Sequence, residues 1–158
     1  MTGPAEGRLV AVEIDPESLS ATEDFLAVER RAAIRALLAE NHFAPGGRPG
    51  AYCLRLSMAE RRLVFDVADA DGTPVVRHIL SVTPLRRLVR DYFLVCESYY
   101  EAVRSGAPAR IEAIDMGRRG MHNEGAEVLA SRLAGKIALD FETARRLFTL
   151  VCALRWRG

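Results

Sequence analysis

The amino-acid sequence predicts an α+β fold: an antiparallel β-meander of about four strands packed against helices, in the order β-α-β-β-β-α-α-α. Three observations carry this. Apolar and polar residues alternate in successive segments between residues 52 and 80, as in strands with one wet and one packed face. From residue 83 onward the apolar residues recur at helical spacing instead. Gly, Pro and Asp clusters mark the boundaries between these stretches.

Residues 1–7 are expected to form a flexible N-terminus, and residues 8–14, Arg8 to Ile14, read as a first short strand. Ser20 and Glu23 have capping-box spacing and would open a helix running to about Asn41. Leu26, Ala33, Ile34, Leu37 and Leu38 form its apolar stripe. Pro45-Gly46-Gly47-Arg48-Pro49-Gly50 is a surface loop, because neither side of it is large enough to stand alone as a domain.

The meander follows. Tyr52, Leu54, Leu56 and Met58 share one face of its first strand, and Leu63, Phe65 and Val67 one face of the second. Asp69-Ala70-Asp71-Gly72 is a hairpin turn with Gly72 placed to take positive φ, and Val75 to Leu80 returns. Thr83 with Pro84 signals a helix start, a capping hydroxyl followed by proline at the first helical position. Leu85, Leu88, Val89, Tyr92, Cys96, Tyr99 and Val103 keep its period, and Gly106 and Pro108 stop it. A second helical segment covers about 109–136, with an irregular middle from Met116 to Gly125. The last helix starts at an Asp140 cap and carries Phe141, Ala144, Leu147, Phe148 and Val151 on one face.

The chain of 158 residues is read as one domain. Its hydrophobic fraction of 49% and charged fraction of 27% are those of a globular protein. No apolar run approaches the about 20 residues of a membrane span, and Met1 to Arg8 lacks a signal peptide's basic and apolar regions. Both point to the cytoplasm. Cys53, Cys96 and Cys152 are an odd number set among apolar neighbours, which reads as reduced core thiols. The net charge of +1 gives no bulk attraction to nucleic acid. The basic residues are nearly all arginine, with Lys136 the only lysine.

Strong catalytic and cofactor signatures are missing: no P-loop, no dinucleotide fingerprint, no Cys-x-x-Cys, no His-Glu-x-x-His and no nucleophile elbow. His42, His78 and His122 lie too far apart in sequence to suggest a metal site. His122-Asn123-Glu124 matches the His-x-Glu of zinc deaminases, but the second half of that motif does not exist here. No metal and no cofactor are therefore expected.

Met116 to Gly125 is the segment that stands out. It holds three glycines, two arginines, a histidine, an amide and a carboxylate in ten residues. Each glycine inside a helix costs about 1 kcal/mol relative to alanine, which calls for an offset. One is close approach by another helix or a ligand. Another is a break, with Asn123 or Glu124 capping a new helix whose free N–H groups would attract an anion. Arg118, Arg119, His122 and Asn123 are then the candidate anion-binding residues. The competing reading is a helix crossing or turn with its arginines on a solvated face. Asp115 with Arg119, and Glu142 with Arg146, have the spacing of helix-surface ion pairs. Arg86, Arg87 and Arg90 lie in the first turns of the Tyr-rich helix, where they oppose its dipole. They are candidates for contact with an acidic partner or with nearby carboxylates.

Four stretches carry a family resemblance: Thr83 to Arg87, Asp91 to Ala102, Arg110 to Gly120 and Phe141 to Cys152. They closely resemble the bacterial uncharacterised protein family UPF0262, and the similarity covers nearly the whole chain. The resemblance implies a bacterial cytoplasmic protein. It implies no activity, so no functional residues carry over.

Two functional expectations result. The first is a non-enzymatic binding or regulatory protein acting through protein partners or as a homodimer. The second is a protein or enzyme that binds a nucleotide or phosphometabolite around Gly117–Gly125. Nucleic acid binding through the arginines ranks below both, because the net charge is near zero and no basic run exceeds two residues.

Overall fold

The computed structural model describes residues 7–19 and 24–154. The expected Ser20–Glu23 capping box lies outside the described residues, as do residues 1–6. The first strand, β1 (Gly7–Ile14), begins one residue inside the stretch expected to be flexible.

The elements that follow are α1 (Asp24–Ala39), β2 (Phe43–Pro45), β3 (Gly50–Ala59), β4 (Arg62–Asp69), β5 (Pro74–Ser81), α2 (Thr83–Ser105), α3 (Pro108–Leu133), β6 (Ile137–Leu139) and α4 (Phe141–Cys152). The α+β class is as the sequence predicts. The sheet is mixed, however, and not purely antiparallel. Its order is β1-β3-β4-β5, with β1 and β3 parallel. The stretch between them, α1 included, is long enough for the crossover that parallel neighbours require. The short β2 and β6 pair antiparallel as a separate two-stranded sheet.

The β3-β4-β5 meander has the predicted pattern. Leu54 is aligned with Val67, Leu56 with Phe65, and Leu63 with Leu80. All six are buried. Gly72 turns the β4–β5 hairpin at φ +93°. The β3–β4 hairpin turns without glycine: Glu60 and Arg61 take φ of +49° and +65°, a conformation unfavourable for L-residues. Beside the irregular step in the β1–β3 register, Asn41 ties the end of α1 to β1. Its Oδ1 accepts from the Leu9 N–H at 2.7 Å, and its Nδ2 donates to the Leu9 and Leu37 carbonyls.

The predicted start of α2 needs one correction. Thr83 is the first helical residue, not the cap, and the Ser81 hydroxyl accepts from its N–H. Gly106 ends α2 at φ +72°, as expected. Val103, expected on the buried stripe, is exposed. Asp140 caps α4 by accepting from the Thr143 N–H at 3.0 Å. From Thr143 onward most of α4 is buried, including Thr149 and Leu150, which lie off the predicted face. Leu147, Phe148, Leu150 and Val151 are fully covered, because α4 packs against α1, α2 and α3. A single buried cluster joins this helix to the inner face of the sheet.

A hollow between four helices

The irregular segment does not break the helix. Met116 to Gly125 lies inside the continuous α3, so Asn123 and Glu124 cap nothing and no free N–H groups open there. The helix-terminus form of the anion site is overturned. Local propensity loses to packing: the glycine costs are offset by burial elsewhere on α3, where Ala126, Leu129 and Leu133 are fully covered.

The three glycines separate by helical phase. Gly117 and Gly120 face open space, with nothing near the position of a Cβ. A Cβ at Gly125 would overlap the ring of Phe148 on α4. The close-approach reading therefore holds for Gly125 alone.

Helical phase also sorts the candidate side chains. Arg118 is largely buried, with 21% of its side chain exposed. Its guanidinium donates to Glu29 of α1 at 3.0 Å and to Asp115 at 2.7 Å, and it lies 4.2 Å above the Tyr99 ring of α2. Tyr100 donates to the same Glu29 carboxylate at 3.3 Å. Arg118 thus links three helices, and its hydrogen bonds hold the Asp115 carboxyl below the usual carboxylate range. Arg119 reaches Asp115 at 2.9 Å but is 71% exposed. Asn123 is exposed, four residues after Arg119 and so on the same side of α3 as that solvent-facing arginine.

His122 is buried. Its Nε2 lies 2.7 Å from the Thr149 hydroxyl, and its ring stacks on Tyr92 with centroids 5.4 Å apart. Burial, with Arg145, Arg146 and Arg118 nearby, pushes its pKa down to about 4, so the ring is neutral at pH 7.

Arg118, Arg119 and His122 line a hollow of about 230 Å³ together with Glu29, Arg145 and Arg146. The two α4 arginines belong to this site and were missed in the sequence, where Glu142 and Arg146 read only as a surface pair. That pair forms, at 3.8 Å, and Arg145 meets Glu142 at 3.2 Å. The Nε of Arg145 is buried and has no hydrogen-bond partner. Four guanidiniums face three carboxylates, Glu29, Asp115 and Glu142. The excess is one positive charge. The available sequence signal was spacing: Arg145 and Thr149 are four apart on α4, as Arg118 and His122 are on α3.

The nearby nucleophiles are held in unreactive forms. Burial pushes the Cys96 thiol up to about 11, raises Cys152 as well, and raises the Tyr92 phenol. Cys96 and Cys152 are the core thiols expected, whereas Cys53 is only half-buried. Among the described residues no group of His, Cys, Asp and Glu could hold a metal ion.

The second candidate set divides. Arg87 and Arg90 are exposed and reach Asp91 at 3.6 and 4.0 Å, which supplies the nearby carboxylate that their position calls for. Arg86 instead lines a separate hollow of about 390 Å³ with Arg61, Arg62, Ser81 and Thr83.

The chain is similar to proteins of several bacteria. A UPF0262 protein of Mesorhizobium japonicum is 58% identical over 162 residues, covering 100% of both chains. UPF0262 proteins of Brucella canis and Brucella anthropi are 58% identical over 153 residues, covering 96% of this chain and 95% of theirs. No solved structure matches. Residues 6–157 match the uncharacterised protein family UPF0262, and the chain belongs to that family.

Proposed function

We propose that this chain is a non-enzymatic binding protein of the bacterial cytoplasm whose ligand is a small phosphate-bearing metabolite held in the hollow between α1, α2, α3 and α4. The observation that carries this reading is the excess of guanidinium over carboxylate around the hollow, with the buried Arg145 Nε lacking an acceptor. Guanidinium suits phosphate because it offers several donors in a planar fork. The volume of about 230 Å³ is below the about 300–1,000 Å³ of sites that enclose drug-sized ligands. It therefore suits a phosphate group on a small skeleton and not a whole nucleotide.

The acid–base chemistry favours recognition over catalysis. A general acid or base works best with a pKa near the working pH. His122, at about 4, is far from it, and the adjacent thiols are pushed the other way. No helix of the described residues is long and apolar enough to cross a membrane, which accords with a cytoplasmic setting.

Thermal shift with inorganic phosphate, pyrophosphate and glycerol phosphate tests the proposal. A probe at 100 times its Kd should stabilise the protein by about 2.7 kcal/mol. Arg146→Gln should leave the ligand-free melting temperature nearly unchanged, because its ion pair is long and partly exposed, and should abolish most of the shift. No shift with any of the three probes at millimolar concentration would overturn the reading.

A further inference from the structure

The outer face of the β1-β3-β4-β5 sheet is covered by no described element. Its middle is a straight row of four aligned charges. Glu13 on β1 is aligned with Arg55 on β3, Arg55 with Asp66 on β4, and Asp66 with Arg77 on β5. Neighbours along the row pair, at 3.7 Å for Arg55–Glu13 and 2.6 Å for Arg77–Asp66, while Arg55 also reaches Asp15 at 3.2 Å. A row of small side chains, Ala11, Cys53 and Ala68, flanks it on one side. Ser57, Val64 and Ile79 flank it on the other. On the edge strand β5, Val75 is 43% exposed and Ile79 50%, so apolar surface borders the charges.

From this row we infer that the outer sheet face binds a second copy of the same chain. The sign sequence −, +, −, + is complementary to its own reversal. A two-fold axis parallel to the strands, between β3 and β4, turns one sheet face onto another and reverses the row. Glu13 then faces Arg77 of the second copy, Arg55 faces its Asp66, and every charge meets its opposite. An axis at right angles to the strands would set each charge against itself, so the pattern selects one packing, an aligned sandwich. The two-fold makes the contact isologous.

Area sets the strength. Four strands about 4.8 Å apart, each about eight residues long at 3.3 Å, present about 500 Å² per copy. The total of about 1,000 Å² is at the low end for specific association. The inference is therefore a concentration-dependent dimer in the micromolar range, not an obligate one.

Sedimentation equilibrium of the full chain tests it with two charge reversals. Arg77→Glu puts a carboxylate opposite Glu13 of the second copy, and Glu13→Arg puts a guanidinium opposite its Arg77. By symmetry each change makes two repulsive contacts, and each variant alone should dimerise about tenfold more weakly or worse. An equimolar mixture should recover wild-type affinity, because in the mixed dimer the two reversed charges face each other with opposite signs and the remaining Glu13 faces a native Arg77. Circular dichroism confirms that both variants fold. Wild type that stays monomeric at several hundred micromolar overturns the inference. So does a wild-type dimer that survives both reversals, or two weakened variants that fail to associate on mixing.

Discussion

Gly120 and Gly125 stand five residues apart in one helix and meet opposite surroundings. Gly120 looks out on open space with Gly117, while Asn123 is exposed on the same helix. Gly125 looks in, at a phenylalanine ring that a methyl group would displace. The same division separates the two arginines: Arg118 joins α1, α2 and α3, and Arg119 stands mostly in solvent. The outer face of α3 can change at little cost. The inner face carries both the packing and the hollow. A run of unusual residues in a helix is therefore not one feature but two, and only helical phase tells which residues act together.

The largest expected break in this comparison is Gly125→Leu. It forces a side chain into the space of a fully buried ring and should cost about 3 kcal/mol or more by urea denaturation. An unchanged midpoint would show that α3 and α4 can separate freely. At the other extreme, Gly120→Ala meets no atom and removes a flexible residue from a helix interior. It should raise stability by up to about 1 kcal/mol.

Next in size is the pH dependence of His122. Its pKa in the fold is about 4, against an ordinary 6.5. Between these values the unfolded chain takes up a proton that the folded chain refuses, so stability is full above pH 6.5 and falls as pH drops toward 4. The complete loss is about 3 kcal/mol. His78 is shifted the same way by burial and Lys136, so the contribution of His122 is read as the difference between wild type and His122→Gln. If the two proteins lose stability in parallel across this window, the ring is not held neutral by its site.

A smaller contrast is Arg118→Ala against Arg119→Ala. Removing Arg118 takes the buried guanidinium from both Glu29 and Asp115, leaving them the Tyr100 hydroxyl and the exposed Arg119, and should cost about 2 kcal/mol. Removing Arg119 should stay within about 0.5 kcal/mol, as for exposed pairs generally. Equal effects would erase the distinction between the two faces.

These contrasts show what the sequence could and could not convey. The meander was legible because Tyr52, Leu54, Leu56, Leu63, Phe65 and Val67 alternate against polar residues, and alternation reports which face is buried. It does not report which strand lies alongside, so the parallel β1–β3 pair was read as antiparallel. Strands of three residues, such as Phe43–Pro45 and Ile137–Leu139, are too short to leave a period. The inner face of α3 was hidden because Arg118, His122 and Gly125 are not apolar, and a search for hydrophobic stripes passes over them. Residues of the candidate site on α3 were found by composition. Arg145, Arg146 and Glu29 were not, because nothing local says that α1 and α4 turn those side chains toward α3.

The account rests on the hollow as a site for a phosphate-bearing ligand, and His122 is placed to report on it. Arg145, Arg146 and Arg118 help to depress its pKa, while Glu29 lines the same hollow and Tyr92 stacks on the ring. An anion bound there would offset the guanidinium charge and make protonation of the ring easier. The most direct measurement is an NMR pH titration of the His122 ring with and without saturating pyrophosphate. The account predicts a pKa near 4 without the anion and a rise of about one unit with it, equivalent to about 1.4 kcal/mol of favourable interaction with the charged ring. Superimposable titration curves would contradict it.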